Sequence, residues 1–193
     1  MADKKEFYNS IIKPTVVLLA ICIIIPLALA LTNMITEDKI AKLSKENEMK
    51  AMSSLIKADK FNEKSTDISG NTVDYYEAEK GGETVGYIFV TDENGYGGTV
   101  SVMTAVGTDG TVEAIEILDV SNETPGLGQN AAKESFYGQF SGKQNEIELK
   151  KGETTEANQV SAVTGATITS TAVTKCVNRA LEYFGEIGGG EEE

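Results

Sequence analysis

The stretch TVGYIFVTDENGYGGTVSVMTAVGTDGTVEAIEILDV, residues 84–120, decides the fold. Residues 84–91, 99–106 and 111–120 are rich in β-branched and aromatic residues, and the last two runs alternate apolar with polar. DENGYGG (92–98) separates the first pair, with Asn94-Gly95 as a strong turn signal. Asp109-Gly110 separates the second pair and suits a hairpin turn. The spacing predicts three antiparallel strands.

On either side the pattern changes. Residues 60–82 are polar, with turns marked at Gly70-Asn71 and Gly81-Gly82. NAAKESFYGQF (130–140) reads as a short helix and NEIELK (145–150) as a short strand. Residues 170–187 carry the clearest helical pattern. Ala172, Val173, Cys176, Val177, Ala180, Leu181 and Phe184 form one apolar stripe that must face a core. Thr169 or Ser170 is its natural N-cap. The predicted class is α+β: antiparallel strands with a C-terminal helix, behind a single N-terminal membrane helix.

That membrane helix is TVVLLAICIIIPLALALT (15–32), a run without a charged residue. A span of ~20 apolar residues matches the ~30 Å hydrocarbon core of a bilayer. A cleaved signal peptide is the competing reading, with Lys4, Lys5 and Lys13 as its basic region and Ala28-Leu29-Ala30 as a cleavage box. The length of the run and the late Pro26 favour a retained anchor. Either reading puts the remaining chain on the extracytoplasmic side of the cell membrane. TEDKIAKLSKENEMKAMSSLIKADKF follows, mostly helical in its spacing, with Ile40, Leu43, Met52, Leu55 and Ile56 among polar residues. The predicted plan is a stub and anchor over 1–36, a helical stalk over 37–58, a soluble domain over 59–187 and a disordered acidic tail over 188–193.

Composition excludes several chemistries. There is no histidine, so a Ser-His-Asp hydrolase is ruled out. Two separated cysteines, Cys22 and Cys176, supply neither a disulfide framework nor the usual zinc, haem or iron–sulfur ligand sets. A net charge of −13 argues against a nucleic-acid partner. Any redox or transfer chemistry must come from a cofactor, with no catalytic residue and no metal supplied by the chain.

VSAVTGATITST (160–171) suggests which cofactor. Its hydroxyls are Ser161, Thr164, Thr167, Thr169, Ser170 and Thr171. TGAT stands just ahead of the predicted helix start, where unpaired N–H groups favour an anion. Gly165 permits close backbone approach. Thr164, Thr167 and Thr169 are candidate donors to a phosphate, and a ligand-free Thr-rich cap is the alternative. No P-loop lysine follows, so a nucleotide triphosphatase is disfavoured. A second loop, SNETPGLGQN (121–130), offers Glu123, Thr124 and Leu127 between tight-turn glycines, a mixture that suits the edge of an aromatic ring.

TGATITSTAV, ETPGLG and GYGG together resemble the FMN-binding domain family found in RnfG of the Rnf respiratory complex, and in NqrC of the sodium-pumping NADH:quinone reductase. The resemblance runs over roughly residues 5–187. It implies FMN esterified through its phosphate to the last residue of TGAT, Thr167, with Thr164, Gly165, Ala166 and Thr169 around it. It implies Glu123, Thr124, Gly126, Leu127 and Gly128 beside the isoalloxazine, with Tyr96, Gly97 and Gly98 near. It also implies a flavin transferase that uses FAD and magnesium, membrane lipid, and partner subunits of an ion-translocating ferredoxin:NAD oxidoreductase. Six residues before Thr167 the family often has an acid; this chain has Ser161. The expected function is electron transfer within that complex. The alternatives are an NqrC-type subunit, an anchored binding module without flavin, and an anchored flavin reductase acting alone.

Overall fold

A computed structural model of the chain describes residues 12–68 and 70–188, the side chains of 38–47 excepted. Lys4, Lys5, the side chains of Ile40 and Leu43, and tail residues 189–193 lie outside the described residues. The chain divides into two compact units, Met1–Glu48 and Met49–Glu193. Helix α1 (Lys13–Leu55) begins in the first. Its segment Lys13–Glu37 is the one helix among the described residues long and apolar enough to cross a membrane. Pro26 lies inside it.

The second unit is a five-stranded antiparallel sheet in chain order: β1 (Lys60–Ile68), β2 (Asn71–Lys80), β3 (Glu83–Asn94), β4 (Thr99–Gly107) and β5 (Val112–Asp119). The three strands β3 to β5 follow the predicted runs. The hairpin β1–β2 corrects the reading of 60–82 as polar turns. β1 is the edge strand and is mostly exposed, while β2 buries only Val73, Tyr75 and Ala78 among polar residues, so the apolar signal over 60–82 is sparse. Asp109 closes the β4–β5 turn. Its Oδ1 accepts from the Thr111 N–H at 2.9 Å, and the Thr111 backbone and hydroxyl together hold its carboxyl below the usual range.

Two layers cover the sheet. One face carries helix α3 (Thr167–Gly188), whose Ala172, Val173, Cys176 and Val177 pack with Val100, Val102 and Val112. The other carries Met52, Leu55 and Ile56 against Ala78, Ile88, Met103 and Ala105. Phe89 and Ile88 are adjacent on β3 and point to opposite layers, both fully buried.

Between β5 and α3 the predicted helix over 130–140 is broken into three pieces. These are a 3-10 turn at Gly128–Ala132, the single-turn helix α2 (Glu134–Tyr137) and a 3-10 turn at Gly138–Phe140. Phe136 and Phe140, edge to face, anchor them in the core. β6 (Glu148–Lys150) pairs in parallel with β7 (Gln159–Ser161), a partner that the sequence did not reveal. Asn178 of α3 holds the start of this segment, donating to the Ile147 carbonyl at 3.0 Å and accepting its N–H at 2.9 Å.

Candidate functional site

Helix α3 starts at Thr167, three residues earlier than the sequence reading placed it. Its first backbone bond runs from the Ser170 N–H to the Ala166 carbonyl at 3.0 Å. The N–H groups of Thr167, Ile168 and Thr169 therefore precede the helical ladder, the arrangement that favours an anion. Neither Thr169 nor Ser170 is the N-cap. Ser170 instead locks the turn before the helix. Its hydroxyl accepts the Val163 N–H at 3.0 Å and donates to the Ala166 carbonyl at 2.9 Å. Gly165 in that turn has φ +77°, a conformation that L side chains rarely adopt.

The six hydroxyls separate cleanly. Ser161 donates to the Gly152 carbonyl, Ser170 to that of Ala166 and Thr171 to that of Thr167. Thr169 donates to Glu123 Oε2 at 2.6 Å and also lines the pocket described below. Thr164 is exposed and belongs to a neighbouring hollow with Lys133, Gln139 and Ser161. Thr167 is half-buried, lines the main pocket of the motif region, and has a hydroxyl not engaged with any described residue.

That pocket has a volume of about 510 Å³. The helix start contributes Gly165, Ala166, Thr167, Ile168 and Thr169. The loop after β5 contributes Glu123, Thr124, Leu127 and Gly128, and the β3–β4 turn contributes Tyr96. Gly126 does not line it. With φ +76° and open space around it, Gly126 shapes the turn. Tyr96, Leu127 and Ile168 are large apolar side chains that remain well exposed at the pocket. Ile168 was missed from sequence, because an isolated apolar residue off the helix stripe has no periodic signal. A larger cleft of about 640 Å³, lined by Glu93, Glu146, Lys175 and Arg179 among others, contains none of the motif residues.

Glu123 is the buried centre of the pocket floor, 2% exposed. Its Oε1 accepts the Gly97 N–H at 3.0 Å and its Oε2 the Thr169 hydroxyl. Both oxygens are thus satisfied, as a buried carboxylate requires. Two glycines of the β3–β4 turn pack closely against the loop that carries Glu123. A Cβ on Gly95 would stand 2.2 Å from Glu123 Oε1, and one on Gly97 2.0 Å from the Asn122 carbonyl oxygen.

The comparisons with known proteins agree in extent. The FMN-binding domain family matches residues 95–182, which hold all three motifs. The G subunit of the proton-translocating ferredoxin:NAD(+) oxidoreductase complex of Clostridium ljungdahlii is 38% identical, with 99% of this chain and 100% of that protein covered. The chain belongs to the G-subunit family of these complexes. The G subunit of the Na(+)-translocating complex of Acetobacterium woodii is 35% identical, with 92% and 93% covered. The fold is like that of the C subunit of the Na(+)-translocating NADH-quinone reductase of Parabacteroides distasonis, at a TM-score of 0.54 and 22% identity over 63% of this chain and 65% of that one.

As a member of the G-subunit family, the chain has a pocket that suits FMN on its own geometry. Unpaired N–H groups and an uncommitted hydroxyl sit at one end, and an apolar rim lies over the rest. No lysine or arginine lines it. Among the described residues, the groups at the pocket suited to an anion are the free N–H groups of the helix start and the Thr167 hydroxyl.

Proposed function

We propose that this chain is the covalently flavinylated electron-transfer subunit of a membrane-bound, ion-translocating ferredoxin:NAD(+) oxidoreductase. The observation that carries this reading is the uncommitted Thr167 hydroxyl at the start of α3, inside the pocket made by the three motifs. Full-length likeness to G-subunit proteins favours this reading over a component of the NADH-quinone reductase, which is similar in fold alone.

Thr167 Oγ1 would hold the FMN phosphate as an ester, delivered from FAD by a flavin transferase with magnesium, with AMP as the leaving group and the hydroxyl proton released to solvent. Once bound, FMN supplies one- and two-electron chemistry. The chain does the rest. The free N–H groups of Thr167, Ile168 and Thr169 face the phosphate charge. Leu127, Ile168 and Tyr96 give the ring an apolar seat, and Thr124 a polar edge. The chain brings no acid or base of its own to a substrate, so it works with partner subunits and is not catalytic alone. α1 anchors it in lipid, with the FMN domain on the extracytoplasmic side.

The test is the intact mass of chain matured with the transferase. Wild type should gain about 440 Da, one FMN less one water. Thr167→Ala should gain nothing and lose in-gel flavin fluorescence. A flavin increment in that variant overturns the assignment.

A further inference from the structure

We propose that Glu123 is a positioning residue for flavin attachment, acting through Thr169 and Gly97 rather than by touching the ring. The inference rests on the reading of Thr167 as the attachment site. It starts from an uncommon arrangement: a carboxylate 2% exposed, with no cation bonded to it among the described residues, whose oxygens are each held by a motif distant in sequence.

The two bonds span very different parts of the chain. Glu123 Oε2 takes the hydroxyl of Thr169, 46 residues away and two residues beyond Thr167 in the first turn of α3. Glu123 Oε1 takes the N–H of Gly97, next to Tyr96, from 26 residues away on the other side. Glu123 itself begins the loop that presents Leu127. One carboxylate therefore sets three distances: Thr167 to Leu127, Thr167 to Tyr96, and Leu127 to Tyr96. No backbone pairing does this job, because the sheet ends at Asn94 and Asp119 and the helix begins at Thr167.

The packing enforces the same geometry. Gly95 and Gly128 flank the carboxylate so tightly that a Cβ on either would lie within 2.5 Å of one of its oxygens. Across the pocket, a Cβ on Gly165 would stand 3.1 Å from Leu127 Cδ2, so the TGAT turn and the Leu127 loop also meet directly. Esterification needs the Thr167 hydroxyl in line with the phosphorus presented by the transferase. Misplacing a reacting group by about 1 Å costs on the order of a hundredfold in rate. The first turn of α3 cannot be placed by helical hydrogen bonds alone, since its N–H groups precede the ladder. The Ser170 hydroxyl ties that turn to the adjacent Val163 N–H, and the Thr169–Glu123 bond ties it to the distant ETPGLG loop.

A charge is not required for this role, so the amide should replace the acid. In Glu123→Gln the carbonyl oxygen still accepts the Gly97 N–H, and the NH₂ can donate to the Thr169 hydroxyl oxygen, which reverses its role. Thr169→Ser keeps the donor; Thr169→Val removes it.

The experiment measures initial flavinylation rates of the full chain in detergent with purified flavin transferase, FAD and Mg²⁺, read by in-gel fluorescence. Glu123→Ala and Thr169→Val should be slower by about tenfold or more. Glu123→Gln and Thr169→Ser should stay within about threefold of wild type. Val106→Ala, a buried change on the sheet, supplies a destabilised control that should flavinylate normally. The Gly97 amide proton resonance should move upfield in Glu123→Gln, which reports the bond without any flavin. Wild-type rates in folded Glu123→Ala and Thr169→Val overturn the proposal. So does an equal loss in Val106→Ala, which would assign the effect to stability. Thr167→Ala keeps the two readings apart. Flavin on that variant removes the attachment site itself; a flavin-free Thr167→Ala beside a full-speed Glu123→Ala removes only the role of Glu123.

Discussion

Gly128 lies against Glu123 so closely that a Cβ at Gly128 would stand 2.5 Å from Glu123 Oε2 and 2.8 Å from Thr169 Oγ1. Gly128 is not among the positive-φ glycines, so an alanine there meets no backbone penalty, only the carboxylate and the hydroxyl. Gly128→Ala should destabilise the domain by about 1–3 kcal/mol, as overpacking does. Gly126→Ala is the contrast. It has φ +76° and nothing within 4 Å, so its cost is backbone strain of about 1 kcal/mol. Denaturant titration of both variants, with flavin content, checks this. Gly128→Ala should lose both stability and flavin, and Gly126→Ala only a little stability.

Cys176 lies on the buried face of α3 with no exposure, and burial pushes its thiol up from 9.0 to about 12. Its thiolate fraction at pH 8 is therefore on the order of 10⁻⁴, and it should resist alkylation until the domain unfolds. The pH effect has a definite sign. Above pH 9.0 the unfolded chain releases this proton while the folded chain keeps it, so stability falls as pH rises from 9.0 toward about 12. The slope is at most about 1.4 kcal/mol per pH unit. Denaturation midpoints at several alkaline pH values should fall more steeply for wild type than for Cys176→Ala. Equal slopes would remove the thiol from the explanation.

Thr104 is fully buried in β4, and its hydroxyl has no hydrogen-bond partner among the described residues. An unmade buried hydrogen bond costs about 1–3 kcal/mol. Thr104→Val keeps the shape and removes the orphaned group. It should raise stability by about 1 kcal/mol, visible as a higher denaturation midpoint at an unchanged slope.

Sidedness is directly measurable. Glu186 is exposed near the end of α3. In a Cys22→Ser background, Glu186→Cys should react with an impermeant maleimide in intact cells, while Cys176 stays protected. Labelling only after lysis would place the FMN domain in the cytoplasm.

Much of this architecture was legible in the chain because it is written in neighbours. The apolar run over 15–32, the alternation in 99–106 and 111–120, and the stripe from Ala172 to Phe184 are local periodicities, and local periodicity follows directly from which face an element buries. Turn residues did the same for Asp109-Gly110. Where burial is weak or the element is very short, the signal vanishes. Edge strand β1 is mostly exposed, β2 buries only Val73, Tyr75 and Ala78 among polar residues, and β6 and β7 have three residues each, too few to show a period.

The amino-acid sequence by itself determined the N-terminal apolar helix, three of the antiparallel strands, the closing helix and the three motifs that mark a flavin protein. Only the tertiary structure decided what those motifs do to one another. Sequence placed six hydroxyls around one glycine and could not tell them apart. Folding commits Ser161, Ser170 and Thr171 to backbone carbonyls and Thr169 to Glu123; of the two hydroxyls it leaves uncommitted among the described residues, Thr164 faces a neighbouring hollow and Thr167 lines the pocket. The physical reason is that hydrogen-bond allocation depends on distance in space. Glu123 meets partners 26 and 46 residues away, and no pattern among adjacent residues encodes that meeting.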